Sequence, residues 1–264
     1  PAIQRVRFVT SFPRDFGDDI LAVMAACPRI CRYLHVPAQS GSNRILKLMN
    51  RGYTVEEYLE FLERARSFLP GVCIAGDFIV GFPTETDDDF ESSKALIRNA
   101  QYKNSFIFKY SPRPGTIAID RFEDDVPEAV KGHRNNALLG VQAEISAAVH
   151  EPYIGRTVDV FIERAELRAP SAPGSAGGAS RNGTALTING HSTQHPALGP
   201  QPSTLSLTGR TQGDLIVSAT APHASEAKKM VGRIIPVHIT GAAPLLLRGT
   251  AVLPGHPVAT VSEI

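Results

Sequence analysis

The feature that most limits the possible folds is a change of pattern near residue 150. Up to that point, short β-prone runs alternate with longer segments that place apolar residues at helical intervals. This alternation is typical of βα units around a parallel sheet. From Tyr153 onward, short β-prone runs are separated by Gly and Pro, which indicates a small barrel. The sequence predicts an α/β part over 1–150 and an all-β part over 151–264.

Within the first part, helices are expected wherever apolar residues recur at helical spacing, and strands between them. The predicted strands are 5–11, 32–37, 73–82 and 105–111. The predicted helices are 18–26, 42–49, 55–68, 87–100 and 127–150. Thr54 and Thr86 stand where N-caps would be. The last helix carries an apolar stripe of Leu138, Leu139, Val141, Ile145 and Val149.

The second part has five candidate strands and one segment unlike the rest. The strands are 156–163, 204–209, 214–220, 233–240 and 247–252. The segment 170–202 is rich in Ala, Gly, Ser and Pro and has almost no large apolar groups. Such a composition cannot bury enough surface to offset its ordering entropy, so a disordered insertion in the barrel is predicted.

Composition bounds the class of protein. Hydrophobic residues make up 42% of the chain, enough for a buried core, and the net charge of +1 neither requires nor excludes a nucleic-acid partner. Three cysteines without framework spacing argue against a disulfide-stapled secreted protein and favour a reducing cytosol. No apolar run approaches the roughly 18–20 residues that span a bilayer. A cytoplasmic protein is expected.

Two predicted strand ends carry candidate ligand groups. In 76–86 (GDFIVGFPTET), the lack of a side chain at Gly81 would let a planar ligand approach the strand end, although an ordinary strand-to-helix turn explains the run as well. In 35–42 (HVPAQSGS), Gln39 offers both a donor and an acceptor to a ribose or carboxylate. The alternative is that Ser40 and Ser42 only cap the next helix.

Basic residues follow both candidate ligand sites. Arg44, Lys47 and Arg51 share a helix face and would face phosphates or form a solvated stripe; Arg51 differs because it ends the helix near the expected ligand. A Pro-flanked turn groups Lys109, Tyr110 and Arg113, which suits base stacking and phosphate contact but equally a structural turn.

The cysteines do not match an iron–sulfur pattern. Cys27 and Cys31 are followed by Leu34 where a C-x3-C-x2-C pattern needs a third thiolate. With apolar neighbours around them, both are predicted to be buried structural thiols, as is Cys73.

Five motifs occur in one order: 10–13 (TSFP), 34–42 (LHVPAQSGS), 49–54 (MNRGYT), 77–83 (DFIVGFP) and 108–116 (FKYSPRPGT). Together they resemble the methylthiotransferase family of radical S-adenosylmethionine (SAM) enzymes. The segments 207–217 (LTGRTQGDLIV), 231–240 (VGRIIPVHIT) and 247–249 (LRG) resemble the TRAM domain, a small RNA-binding β-barrel. The resemblance implies the C-terminal part of a radical-SAM partial βα barrel followed by an all-β TRAM barrel.

The resemblance also implies an activity. Such enzymes add a methylthio group to isopentenyl-adenosine next to the anticodon of tRNA by radical-SAM chemistry. A branch acting on threonylcarbamoyl-adenosine can share the 108–116 turn and stays open, as does a non-catalytic RNA-binding remnant. A further alternative is an unrelated SAM- or nucleotide-binding α/β enzyme that uses Gln39 and Asp77.

Cofactors and partners follow from the same resemblance. They are SAM, two [4Fe-4S] clusters, the anticodon stem-loop of tRNA and an electron donor such as flavodoxin or ferredoxin, with the enzyme a monomer. The family's cluster cysteines would precede Pro1, so the chain is expected to be a fragment that holds no metal and is inactive by itself.

By similarity, the roles of individual residues divide into two groups, with the catalytic residues unknown. SAM contacts are implied for Gln39, Ser40, Arg51, Asp77, Ile79 and Gly81. RNA contacts are implied for Lys109, Tyr110, Arg113 and Arg210. The family's strand-end glutamate has its nearest counterpart one place late, at Glu85.

Overall fold

The computed structural model describes residues 3–9, 12–168, 204–221 and 224–252. The insertion predicted at 170–202 lies outside these residues, as do the first two residues of the 10–13 motif.

A three-stranded parallel sheet forms the centre of the first part. Its order is β1 (Tyr33–His35), β2 (Cys73–Val80), β3 (Asn104–Lys109), with β2 in the middle. Because all three strands are parallel, their carboxyl ends lie at one edge, where ligands bind in open α/β sheets. The helices before and between the strands are α1 (Asp18–Ala26), α2 (Asn43–Leu48), α3 (Val55–Phe68) and α4 (Asp87–Ala100).

The helix starts follow the capping chemistry expected from the sequence. Thr54 and Thr86 each accept from the backbone N–H three residues on, at Glu57 and Asp89, and those two side chains accept in return from the cap's own N–H. Ser42 caps α2 by accepting from Ile45 N at 3.4 Å. These caps fix where the three helices begin. Of these helices, α2 and α4 follow strand ends, and the loops before them hold candidate site residues.

Beyond the sheet, the chain forms α5 (Ile117–Arg121) and the long helix α6 (Glu128–His150). It then forms a closed barrel in the order β4-β5-β6-β8-β7. The barrel strands are β4 (Thr157–Arg168), β5 (Thr204–Arg210), β6 (Ile216–Thr220), β7 (Ile234–Ala243) and β8 (Leu246–Ala251), with α7 (Ala224–Met230) between β6 and β7. The two sheets lie on either side of residue 150, and a mixed α/β part followed by a small β-barrel is confirmed.

The strand predicted at 5–11 is wrong for the described part of that range. Residues 5–9 make a single bridge, between Val6 and Ile30, and no ladder. Val6 and Val9 are 44% and 73% exposed, so the run is not a core strand in this chain. A β-prone run forms a strand only where a neighbouring strand pairs with it, and here the contact with Ile30 alone is not extended.

The barrel docks at the amino end of the parallel sheet. Lys103, immediately before β3, donates to the Asp214 carboxylate at 2.7 Å. Gly213 lies against the first residue of β2, since a Cβ on it would be 2.4 Å from Cys73 Sγ. Arg5 donates to the carbonyls of Arg210 and Asp159 at 2.9 and 3.0 Å. The carboxyl edge of the sheet is the opposite edge.

None of the helices in the described ranges combines the length and the apolar character that crossing a membrane requires.

Candidate functional site

Gln39 is bonded through its backbone to the carboxyl end of β2. Its N–H donates to Asp77 O at 2.7 Å, and Ile79 N donates to Gln39 O at 2.9 Å. The residue has φ of 69°, in the left-handed region that non-glycine residues seldom adopt. Three of the sequence-predicted SAM contacts, Gln39, Asp77 and Ile79, are therefore neighbours at one edge of the sheet.

Asp77 is oriented by a neighbouring histidine. His35 Nε2 lies 2.8 Å from Asp77 Oδ1, and the two side chains are 10% and 22% exposed. Phe106 is in register with Asp77 and meets the His35 ring edge-on, with centroids 6.0 Å apart. The adjacent strand thus completes a face on which a carboxylate, an imidazole and an aromatic ring lie together.

That face of the sheet is open where it nears the strand ends. Phe106 and Phe108 are 50% and 54% exposed, although both lie in a strand. Phe108 is in register with Ile79, which is half-buried. Exposed aromatic and apolar side chains beside Asp77 would suit the flat face of a nucleobase.

Arg51 and Ser40 differ in whether their polar atoms have hydrogen-bond partners. Arg51 Nε is buried without a hydrogen-bond partner among the residues that the structure describes. Ser40 is fully buried and its hydroxyl accepts from Ser42 N at 3.2 Å, so it holds the turn before α2. The Arg51 Nε is therefore a buried donor that the described protein groups do not use.

Only glycine fits at position 81, because of its backbone conformation and the close approach of α6. Its φ is +70°, and a Cβ built on it would be 2.3 Å from Lys131 Cγ. The side of Gly81 that a Cβ would occupy is thus filled by α6, and the free space expected there for a planar ligand is not present on that side.

Glu85 turns back onto the strand end. Its Oε2 accepts from Gly81 N at 2.6 Å and from Arg134 at 2.8 Å. Burial raises the pKa of Glu85, and the bonds from Gly81 and Arg134 oppose that rise. The side chain therefore braces the turn that follows β2, and within the described residues it makes these contacts with protein groups.

The Asp89 side chain accepts from Thr86 N in the capping box that begins α4. Burial alone would raise its pKa, but hydrogen bonds from Arg44, Ser42 and Thr86 outweigh burial and hold the pKa of Asp89 below its ordinary value. Arg44 also donates to the Thr84 carbonyl at 2.7 Å. Arg44 is thus used to join α2 to the start of α4.

The residues predicted to form an RNA-binding turn each make a separate contact. Lys109 pairs with Glu128, and Tyr110 packs edge-on against Phe82 with centroids 5.1 Å apart. Arg113 is exposed, and its carbonyl accepts from Thr116 Oγ1 at 2.8 Å. Each is accessible near the carboxyl edge of the sheet, but only Arg113 has an exposed side chain that lies outside an ion pair among the described contacts.

Arg210 lies on the barrel, at its junction with the sheet. It pairs with Asp214 at 2.9 Å and with Glu163 at 3.5 Å, and its side chain is 34% exposed. Its guanidinium is therefore engaged by two carboxylates at the amino end of the sheet, far from the strand ends that hold Gln39 and Asp77.

Sequence reasoning missed the polar face of α6. The buried positions of this helix are Lys131, Arg134, Leu138, Gln142, Ser146 and His150. The expected apolar stripe is wrong at Leu139, which is 44% exposed. Spacings of three and four residues between these polar side chains were the signal that could have identified the buried face.

The cysteines are free thiols, and two of them are buried. Cys31 and Cys73 are 2% and 7% exposed, which confirms the prediction for these two, whereas Cys27 is half-buried. Burial raises the pKa of the Cys73 thiol. In the described ranges, no group of three or more His, Cys, Asp or Glu side chains is placed to hold a metal ion.

Comparison with known proteins connects this site to a family. Residues 1–97 match the model of the radical SAM superfamily. The tRNA-2-methylthio-N(6)-dimethylallyladenosine synthase of Rhodopirellula baltica is 47% identical over 167 residues, which are 63% of this chain and 35% of that protein. The protein of the same name from Acetivibrio thermocellus is 33% identical over 252 residues, which are 96% of this chain and 44% of that protein.

Among solved structures, the radical SAM enzyme coproporphyrinogen III oxidase (HemN) of Escherichia coli matches at a TM-score of 0.43 and 19% identity, over 55% of this chain and 32% of that one. The chain spans less than half the length of the curated relatives cited above. With the ordered motifs, the sequence matches confirm that this chain is related to the MiaB-like radical-SAM methylthiotransferases.

Proposed function

We propose that this chain supplies the SAM-binding strand ends and an RNA-binding barrel to a tRNA methylthiotransferase acting on isopentenyl-adenosine. The observation that carries the proposal is the backbone pairing of Gln39 with Asp77 and Ile79, which gathers polar and apolar ligand groups at the carboxyl edge of the sheet. The curated relatives are named for the same modified nucleoside, since dimethylallyl and isopentenyl denote one group.

The residues at the strand ends fit SAM. Arg51 has a buried Nε without a partner among the described residues, which suits the carboxylate of the ligand. His35 Nε2 is hydrogen-bonded to Oδ1 of Asp77, so Oδ2 would be the oxygen that accepts from a ribose hydroxyl. Gln39 and Ser40 would supply further polar contacts, and Ile79 and the Gly81 backbone would lie against adenine. When bound in such enzymes, SAM supplies the radical and the transferred methyl group.

The iron–sulfur clusters implied by the family do not fit this chain. Its three cysteines lack the C-x3-C-x2-C spacing, and two of them are buried structural thiols. These cysteines are therefore not assigned as cluster ligands. The cluster ligands are proposed to belong to a part of the protein that this chain does not include.

The small barrel is proposed to be a TRAM domain that contacts tRNA. Its support is the closed five-stranded topology together with the segments 207–217, 231–240 and 247–249. Arg113 is exposed on the turn after β3 and would contact phosphate, with Lys109 and Tyr110 beside it. Because Arg210 is shared by two carboxylates, its proposed RNA contact requires that it keep one donor for phosphate.

An electron donor such as flavodoxin or ferredoxin, a monomeric state and a cytoplasmic location complete the proposal. Their support is the family alone.

The proposal is tested on the whole protein that contains this chain, reconstituted with iron and sulfide. Transfer RNA carrying isopentenyl-adenosine is incubated with SAM and reductant, and its nucleosides are analysed by mass spectrometry. The expected product is the methylthio nucleoside, lost in Asp77→Ala and retained in Glu166→Gln, an exposed barrel variant. Product from threonylcarbamoyl-adenosine instead would replace the substrate assignment, and no product from either would overturn the function.

A further inference from the structure

Two cations of α6 are buried beneath the turn that ends β2. The side chains of Lys131 and Arg134 are 4% and 6% exposed. They are three residues apart, so they emerge from one face of the helix. Burying a cation costs several kcal/mol unless a paired charge and hydrogen bonds compensate for it. The positions of their partners therefore show what these cations hold in place.

Lys131 supports the turn from the side that Gly81 leaves open. Its Nζ binds both oxygens of Asp124, at 2.5 and 2.7 Å, and lies 5.4 Å from the centre of the Tyr110 ring. Its methylene stem fills the place where a Cβ on Gly81 would be. The Lys131 side chain thus fills the space between α6 and the turn.

Arg134 fixes the backbone of the turn through Glu85. It donates to Glu85 Oε2 at 2.8 Å and to Glu85 O at 3.0 Å, and also to Asp87 at 2.7 Å. The same Oε2 accepts from Gly81 N. Since charge-assisted hydrogen bonds are directional, this chain of contacts orients the peptide groups that begin and end the turn.

The network is not optimised for stability alone. Arg134 Nε and Glu85 Oε1 are buried without partners among the described residues. A well-packed apolar pair would join α6 to the sheet at no such cost. What an apolar pair would not do is set the direction of the Gly81 amide, two residues beyond Ile79, where adenine is proposed to bind.

We propose that Arg134, with Lys131 and Glu85, positions the 81–85 turn for SAM and acts as a determinant of SAM affinity. This inference rests on the proposed function, because it takes the carboxyl edge of the sheet to be the SAM site. Arg134 does not touch the ligand in this account. It is a positioning residue that acts through Glu85 and Gly81.

The test is a titration of the whole, cluster-loaded protein with S-adenosylhomocysteine, a probe that reports binding without turnover. Arg134→Lys keeps the charge but loses the paired donors, so we expect Kd to rise about tenfold, equivalent to about 1.4 kcal/mol. The matched control is Ser146→Ala, which removes a buried polar contact at the other end of α6, to Lys103 O at 2.7 Å. Its Kd is expected to match the wild type.

A purely structural role gives a different result. It would lower the melting temperature of Arg134→Lys and leave Kd and KM for SAM unchanged, which would overturn the inference. If Arg134→Lys does not fold, Glu85→Gln is used instead, because it retains an oxygen for Gly81 N and removes the charge that faces Arg134. A raised Kd for this variant supports the inference, and an unchanged Kd with a lower melting temperature overturns it. A wild type that binds no probe contradicts the proposed function itself, whereas normal wild-type binding with unaltered variants contradicts only this inference.

Discussion

Lys103 and Asp214 form a buried ion pair that joins the parallel sheet to the barrel. Lys103 Nζ lies 2.7 Å from Asp214 Oδ2, with side chains 7% and 11% exposed. The same carboxylate accepts from Arg7 at 2.7 Å and from Arg210 at 2.9 Å. Burial would raise the pKa of Asp214, but the hydrogen bond and charge of Lys103 outweigh it and the pKa is lowered. One carboxylate therefore holds cations from three parts of the chain.

Removing that carboxylate should destabilise the protein strongly. Asp214→Asn leaves the buried Lys103 without a counter-charge, and we expect a loss of about 3–5 kcal/mol in the free energy of unfolding. The measurement is urea denaturation followed by circular dichroism. Glu166→Gln, which removes an exposed pair at 4.0 Å, should change stability by about 0.5 kcal/mol or less. Equal effects of the two variants would show that Asp214 does not join the two parts.

Asp89 should make stability depend on acidic pH. Its folded-state pKa is lowered, so its contribution is complete above the unfolded value of about 3.9 and is lost as pH falls through the folded pKa. Asp89→Asn should cost about 1.5–3 kcal/mol at pH 7 and flatten the acid limb of the stability curve. Melting temperatures from pH 7 to well below the unfolded pKa, as far down as the protein stays folded, test this, with the exposed Asp88→Asn as control. Parallel acid limbs in wild type and Asp89→Asn would refute it.

Two glycines should respond to alanine in opposite directions. A Cβ at Gly209 would be 2.2 Å from the Phe161 carbonyl oxygen, so Gly209→Ala should destabilise the barrel by about 1–3 kcal/mol. Gly140 is exposed in α6 and a Cβ there meets nothing within 4 Å. Gly140→Ala should therefore stabilise by about 0.5–1 kcal/mol, because alanine favours helix. Thermal melts measure both effects. A stabilised Gly209→Ala would contradict the close contact between Gly209 and the Phe161 carbonyl.

Arg51 should contribute to SAM affinity. Its buried Nε lacks a partner among the described residues, so Arg51→Met should weaken binding of S-adenosylhomocysteine by the whole protein about tenfold or more. Lys47→Met, an exposed change on the preceding helix, is the matched control and should leave Kd unchanged. Equal Kd values for wild type and Arg51→Met would remove Arg51 from the site.

Local signals allowed much of this fold to be predicted. Alternation of β-prone and helical runs predicted the three strands β1, β2 and β3 and the helices α1, α2, α3, α4 and α6. Capping chemistry predicted the helix starts at Thr54 and Thr86. The 5–11 strand could not be judged in this way, because a strand depends on a partner that local pattern does not reveal.

The site could be predicted only in part. Motif order and strand ends indicated Gln39 and Asp77, and the structure brings them together. Lys131 contacts Gly81 and Arg134 contacts Glu85, which are 50 and 49 positions away in the chain, and no local pattern contains such contacts. Buried polar residues on a helix are also less conspicuous than an apolar stripe, which is why the stripe was expected to include the exposed Leu139 and the buried polar positions of α6 were missed.

Hydrogen exchange of the whole protein with and without S-adenosylhomocysteine tests the location of the SAM site most directly. The account predicts slower exchange at 39–42 and 77–85, where backbone and side chains are proposed to meet the ligand, and no change in β4 or β6 of the barrel. Slower exchange confined to the barrel, or none at the carboxyl edge of the sheet under saturating probe, would contradict it.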